Sequence, residues 1–452
     1  MTANATAPTP PTTGKTLLQL CLPLFLNGFL ALGVALIDQF IISSYSDDAA
    51  AAISVANQVL GIVYDLSGLL AVGGVIVVAR RLGAGDEAQA RQTAQVAIVA
   101  NSLLSVLLAL GLLAAGHRVL PLIGTPPQIV GDATLYIRVI AIAMVFNGML
   151  TAAVGVLRAF GHVKVILLLG VLANLLYVFL EFSLMHGLGP IPSLGVYGSA
   201  LATLIVRGVG VALLLWVLAR RLRLAWRSGL DRGAWLARVR QLTALSGPSV
   251  LDNMAYGFYQ LAIVSFITVL GVGAVLSRSY TLTLTAFLSL LTLTISQGNE
   301  VMVGWRLGAG DPQAARRRAW RSAAIAMALS FAVALLLWLA AGPLIGLLTP
   351  KAEIHATARQ LLLLTLLLAP IGALNTVLFN SLKAAGDVNA PVLASQLVTW
   401  AVALPLAYLF SRTLGLGVPG LWWAFIIEES LKAAYMALRW RSSAWERRGP
   451  MG

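Results

Sequence analysis

The sequence predicts an all-α polytopic membrane protein of about twelve transmembrane helices, arranged as two parallel-repeat six-helix lobes. Three observations lead there: a composition poor in charge, a succession of apolar stretches of membrane length, and a hexapeptide that returns unchanged in the second half of the chain.

Of 452 residues, 59% are hydrophobic and 11% charged, against roughly 25% charged in a soluble globular protein. The mean hydropathy is +0.87. Apolar stretches of about 20 residues recur throughout, each long enough to cross a hydrocarbon core of roughly 30 Å. Inside lipid a backbone must satisfy its own hydrogen bonds, which leaves helices or closed barrels. The short alternating segments of a barrel are absent, so the stretches read as helices, at about 16–43, 52–79, 94–116, 133–156, 163–186, 196–219, 242–270, 276–304, 318–341, 355–380, 388–411 and 419–440.

The net charge of +14 would suit nucleic acid, but the basic residues lie between apolar stretches rather than along one face. They alternate. One set of connections holds Arg80, Arg81 and Arg91, then Arg158 and Lys164, seven arginines between Arg220 and Arg240, Arg306, Arg316, Arg317, Arg318 and Arg321, and Lys383. Lys15, Arg439, Arg441, Arg447 and Arg448 share that side. The other set holds Arg118, Arg278, Lys351, Arg359 and Arg412, with Arg138 near a helix start. The positive-inside rule makes the first set cytoplasmic and puts both termini in the cytoplasm of a bacterial inner membrane. The domains read as a tail at 1–15, an N-lobe at 16–225, a cytoplasmic linker at 226–241, a C-lobe at 242–440 and a tail at 441–452. The linker, with Trp226 and Trp235 among arginines, suits anionic lipid headgroups. Met1 to Thr13 is rich in Thr, Ala and Pro and reads as disordered, with no signal-peptide pattern.

Arg81-Leu82-Gly83-Ala84-Gly85-Asp86 returns as Arg306-Leu307-Gly308-Ala309-Gly310-Asp311, an offset of 225 residues. The same offset carries Pro23 onto Pro248, Gly73 onto Gly298, Arg91 onto Arg316, and Leu157, Ala159, Gly161 and Val163 onto Leu382, Ala384, Gly386 and Val388. Leu194-Gly195-Val196 matches Leu416-Gly417-Val418 after a three-residue slip. Six helices per half is an even number, so both halves enter the membrane in the same direction. Parallel repeats of this kind bind substrate at a repeat interface and work by rocking. No clustered nucleophile or metal set marks an enzyme. Cys21 is the single cysteine, the four histidines lie at loops or helix ends, and no HExxH or GxSxG occurs. The chain is read as no enzyme and as needing no cofactor.

Pro23 and Pro248 early in the first and seventh helices, and the Gly-Ala-Gly loops at 83–85 and 308–310, make the chain resemble the multidrug and toxic compound extrusion (MATE) family. So do Leu157-Arg158-Ala159-Phe160-Gly161, Leu382-Lys383-Ala384-Ala385-Gly386-Asp387, the run from Gly195 to Thr203 and the stretch from Trp423 to Trp445. The resemblance implies secondary active efflux: an antiporter exporting small, cationic or amphipathic compounds in exchange for protons or sodium, with proton the favoured ion. The alternative is a lipid or oligosaccharide flippase of the related superfamily. Expected partners are a small-molecule substrate and membrane lipid, not nucleic acid, and the chain is expected to act as a monomer.

A carboxylate within a span costs roughly 2.5–3.5 kcal/mol on insertion scales and usually marks an ion or substrate path. Asp38 matches the family's helix-1 aspartate, whose protonation or sodium binding is coupled to release. Asn174 matches its cation-site asparagine, although the aspartate one turn later is Val178 here; Glu181 stands as a possible substitute. Thr203 is a further family match, or bonds back to its own helix. Arg207 lies mid-span and requires a carboxylate, from Asp38, Asp65 or Glu181. A sodium ion would sit at Asp38 and Asn174. Asp65, Asp252, Tyr256, Glu300 and Glu429 form the second group, as substrate or acidic-site residues. Glu428 and Lys432 are spaced to pair along one helix, which leaves Glu429 the freer acid. Tyr64, Tyr259 and Phe287 are candidate cavity aromatics. Pro23 and Pro248 are expected bending points.

Overall fold

A computed structural model describes residues 15–122, 125–224, 229–442 and 444–446. Most of the 1–15 tail, with Trp226, Arg447 and Arg448, lies outside the described residues. The helices are α1 (Leu17–Tyr45), α2 (Asp47–Ser67), α3 (Leu69–Gly83), α4 (Glu87–Leu122), α5 (Pro127–Ala159), α6 (Val163–His186), α7 (Gly195–Leu222) and α8 (Arg232–Thr268). They continue as α9 (Val272–Gly308), α10 (Pro312–Leu339), α11 (Ala341–Gly346), α12 (Ala352–Ala384), α13 (Asn389–Leu397), α14 (Leu404–Tyr408) and α15 (Gly417–Arg441). π-helical turns at Val398–Ala403 and Leu409–Thr413 join α13 and α14 into one span. The described residues contain no β-strand beyond an isolated bridge between Leu188 and Ile191.

Eleven segments among the described residues are long and apolar enough to cross a membrane. α15, at 25 residues, is the twelfth of that length; Glu428, Glu429 and Lys432 within it lower its hydropathy. Large apolar side chains face outward along the helices, including Leu36 (67% exposed), Phe40 (71%), Leu107 (65%) and Leu336 (64%). A water-soluble surface does not carry such a density of them; a lipid-facing one does.

The repeated hexapeptide is a helix stop and a helix start in succession. Gly85 and Gly310 have φ of +77° and +74°, a conformation that glycine reaches without steric cost. The next amide, of Asp86 or Asp311, then bonds back to the carbonyl of Arg81 or Arg306 at 3.0 Å in both copies, which closes the C-terminus of the preceding helix. Each aspartate then caps the following helix: Asp86 accepts from the Gln89 amide at 3.0 Å and Asp311 from the Ala314 amide at 2.8 Å.

The second span is broken at Ser67–Gly68, between α2 and α3. Asn101 of α4, fully buried, satisfies the groups freed there. Its Oδ1 accepts from the Leu70 amide at 3.0 Å, and its Nδ2 donates to the carbonyls of Ser67 and Gly148, each at 2.7 Å.

The described residues divide into two compact units: unit 1 lies within 22–250, and unit 2 holds 15–21 with those from 251 onward. The division falls inside two helices, between Cys21 and Leu22 in α1 and between Val250 and Leu251 in α8, each within a few residues of a helix-internal proline, Pro23 or Pro248. The stretch 226–241, read as a linker, is helix from Arg232 onward and continuous with the span that follows. Arg238 ties it into unit 1, donating to Thr93 Oγ1 at 3.0 Å and Gln92 Oε1 at 3.2 Å.

Candidate functional site

Unit 1 holds an open-sided chamber of ≈ 290 Å³ lined by Tyr64, Tyr136, Asn174, Tyr177, Thr203 and Arg207 among others. Helical spacing explains the set. On α6, Asn174, Tyr177 and Glu181 follow at intervals of three and four, and on α7 Ser199, Thr203 and Arg207 follow at intervals of four. Each set therefore forms a single stripe along its helix.

Asp38 of α1 reaches this wall through Tyr177. The Tyr177 hydroxyl is 2.6 Å from Asp38 Oδ1 and 3.1 Å from Glu181 Oε1. Ser199 Oγ donates to the same Glu181 oxygen at 2.9 Å. A hydroxyl carries one proton and can donate to only one of the two acids at a time. Glu181 is fully buried, and its Oε2 has no hydrogen-bond partner among the described residues. Tyr177 and Ser199 are thus the hydroxyl donors that the described residues bring to these two carboxyls.

The other residues singled out in this half separate from the acid pair. Arg207 does not meet a carboxylate among the described residues. Its Nη2 donates to Tyr64 Oη at 2.8 Å, with its guanidinium 4.8 Å from that ring's centroid, so the expected ion pair with Asp38, Asp65 or Glu181 is replaced by a tyrosine. Thr203 bonds back to the Ser199 carbonyl at 3.3 Å. Asn174 lines the chamber beside Tyr177 and makes no side-chain bond to Asp38 among the described residues. Asp65 is exposed on α2 and its side chain joins neither cluster.

Unit 2 holds a larger chamber of ≈ 590 Å³, whose wall includes Tyr256, Arg278, Trp422, Phe425, Glu428 and Glu429. Glu428 is enclosed. Lys432 Nζ lies at 2.6 Å and Thr399 Oγ1 at 2.9 Å from its Oε1, and Tyr259 Oη at 2.9 Å from its Oε2. Glu429 accepts from Asn375 Nδ2 at 2.9 Å. Tyr256 accepts from Gln260 Nε2 at 2.7 Å. Asp252 takes a bond from Gln396 Nε2 at 2.6 Å and lies apart from the glutamates. Glu300 is buried in α9 and is not part of the chamber wall. No group of three His, Cys, Asp or Glu among the described residues stands close enough to hold a metal ion.

Tyr177, Ser199, Asn375 and Gln396 escaped the reading of the sequence. Only Tyr177 carried a signal, its position one turn before Glu181. Arg278, grouped by charge with the loops opposite the basic set, lies inside α9 on a chamber wall.

Two six-helix repeats, each with a polar chamber among apolar helices, define a polytopic membrane transporter. The MatE family model matches residues 23–183 and 248–409, segments that begin 225 residues apart as the repeat does, and the chain belongs to the MatE family. Its relatives include the uncharacterized transporter YisQ of Bacillus subtilis, 29% identical over 433 residues (96% of this chain and 95% of that one). Another is the probable multidrug resistance protein NorM of Thermotoga maritima, 22% identical over 445 residues (96% and 93%). Among solved structures, an outward-facing multidrug resistance MATE transporter of the MOP superfamily superposes with a TM-score of 0.88 at 20% identity, covering 97% of this chain and 98% of that one. A MOP superfamily transporter of Pyrococcus furiosus, described as having a binding pocket of reversed polarity, gives 0.83 at 20% identity, covering 97% and 98%. Identities of this size carry the fold and not the substrate.

Proposed function

We propose that this chain is a secondary active exporter of small cationic or amphipathic compounds, exchanging them for protons by alternating access of its two lobes in a bacterial inner membrane. The observation that carries this reading is the meeting of Asp38 and Glu181 at one tyrosine hydroxyl beside the unit 1 chamber. A pair that holds one proton changes its net charge by one when it loads or unloads, and that change acts on α1, which contains Pro23. A charge step acting on an element with a built-in bending point is what a switch requires. Sodium is the alternative ion, at Asp38 with Asn174, but among the described residues these two side chains share no bond, and the Tyr177 hydroxyl already occupies Asp38.

The test is exchange in proteoliposomes under an imposed proton gradient and, separately, an imposed sodium gradient, with a fluorescent lipophilic cation inside. Efflux driven by the proton gradient alone supports the reading. Efflux driven only by sodium replaces the ion. Movement of a polyprenyl-linked lipid in place of the cation would make the chain a flippase.

A further inference from the structure

The connection between α7 and α8 holds seven arginines from Arg220 to Arg240, with Asp231 as the one acid. Asp231 is committed to the start of α8: its side chain accepts from the Ala234 amide at 3.4 Å and its carbonyl from the Trp235 amide at 3.0 Å. Arg238 is engaged with Gln92 and Thr93 of α4, and Arg227 lies outside the described residues. The other five, Arg220, Arg221, Arg223, Arg232 and Arg240, are exposed and form no ion pair among the described residues.

Arg223 closes α7 with φ of +47°, the one non-glycine residue at positive φ among the described residues. That conformation is unfavourable for a residue with a Cβ and persists where the surroundings impose it. Here Leu222 and Leu224 on either side are buried, so the reversal seats both leucines and leaves the arginine outward. Apolar side chains stand uncovered among these cations. Trp216, one turn before Arg220, is 60% exposed, with the Arg220 guanidinium 5.8 Å from its ring centroid. Leu236, between Arg232 and Arg240, is also 60% exposed. The last turn of α15, the counterpart of α7 in the repeat, differs: Arg439 pairs with Asp387 at 2.7 Å, and Arg441 lies over Trp320, 5.2 Å from its centroid.

Unpaired guanidinium groups beside an exposed indole and leucine match the boundary of a bilayer, where phosphates adjoin acyl chains. A nucleic acid or an acidic protein would answer the charge and leave Trp216 and Leu236 uncovered. The positive-inside rule puts this connection at the cytoplasmic leaflet, whose anionic lipids attract such clusters. We infer that the α7–α8 connection is a binding surface for anionic phospholipid, with the phosphodiester against the unpaired arginines and an acyl chain against Trp216 and Leu236. The inference is independent of what the chain transports and of the ion that drives it.

Native mass spectrometry of the delipidated full-length protein reads the binding of phosphatidylglycerol and of phosphatidylcholine with the same acyl chains. The native protein is expected to bind phosphatidylglycerol about ten-fold more tightly. Arg220→Gln with Arg232→Gln should lower that affinity roughly ten-fold, the scale of one or two surface cations. Phosphatidylcholine should bind this variant as before, which also shows that it is folded. Arg317→Gln with Arg321→Gln, two exposed arginines of α10, removes the same charge and should change neither lipid. The inference is overturned if the native protein takes both lipids equally, or if the α7–α8 pair of substitutions changes neither lipid or weakens both. It is equally overturned if the α10 pair lowers phosphatidylglycerol binding as much as the α7–α8 pair. Displacement of the lipid by an equal concentration of glycerophosphoglycerol, the same headgroup without acyl chains, would also overturn it and make the surface a site for a soluble phosphate.

Discussion

The amide of Gly73 in α3 donates to the hydroxyl of Ser246 in α8 at 2.7 Å, and the repeat reproduces that contact 225 residues away, where Gly298 of α9 lies against Cys21 of α1. The first pair belongs to unit 1 and the second to unit 2. In each case a glycine admits a proline-containing helix, just before its proline, at a distance that leaves no room for a Cβ. The two copies differ in what a methyl group would meet. At Gly73 it would lie 2.6 Å from both the Leu242 carbonyl oxygen and Ser246 Oγ, and at Gly298 it would lie 2.6 Å from Cys21 Sγ.

A backbone carbonyl inside a helix cannot step aside, whereas a side-chain sulfur can turn. Gly73→Ala is therefore expected to destabilise the purified protein by roughly 1–3 kcal/mol, the range for overpacking, and Gly298→Ala by less. Cys21→Ala should restore much of what Gly298→Ala loses. Thermal unfolding in detergent measures all three; equal losses at the two glycines would contradict the asymmetry.

Asp38→Asn is expected to bring proton-driven efflux down to that of protein-free liposomes while the protein still inserts and still binds substrate, because the apolar and aromatic lining of the chambers is untouched. Glu181→Gln should impair coupling as well, since Asp38 then has no second acid with which to hold a proton. Transport and equilibrium binding measured on the same preparation separate these effects. Near-normal efflux by Asp38→Asn would move the role to Glu181 or Asp252.

Lys432→Met should strip Glu428 of its counter-ion in a site only 3% exposed. Removing one partner of a buried pair costs roughly 3–5 kcal/mol, while removing both is often close to neutral. The double variant Glu428→Gln, Lys432→Met is accordingly expected to melt well above the single one. A double variant less stable than Lys432→Met alone would mean that the Thr399 and Tyr259 hydroxyls, not the charge pair, hold Glu428 in place.

Reporter fusions at Asp86 and Asp311, the caps of the repeated hexapeptide, are both expected to report cytoplasm. A parallel repeat with an even number of helices per half puts the two copies on one side, and the basic residues choose which side that is. A periplasmic signal at either position breaks the twelve-span arrangement.

Helix number, the repeat and its hexapeptide were legible in the sequence because each rests on local physics. A run of about 20 apolar residues must be helical in lipid, and a glycine followed by an aspartate closes one helix and opens the next whatever surrounds them. The pairing of Glu428 with Lys432 was legible for the same reason, since four residues make one helical turn. The helix from Arg232 was less so, because the arginines that flank Trp235 give it the look of a surface linker.

What the tertiary structure decided is which stripes meet. Asp38 and Tyr177 come together across 139 residues, Arg207 takes Tyr64 in place of any acid, and Arg278 turns into a chamber. Helical periodicity names the residues that share a face, but not the direction in which that face points. In a soluble protein the apolar face identifies itself by turning away from water. In a membrane, lipid tails are as apolar as leucine, so hydropathy along the chain does not separate a lipid-facing stripe from a packed one, and the partners of Asp38, Arg207 and Arg278 had to wait for the fold.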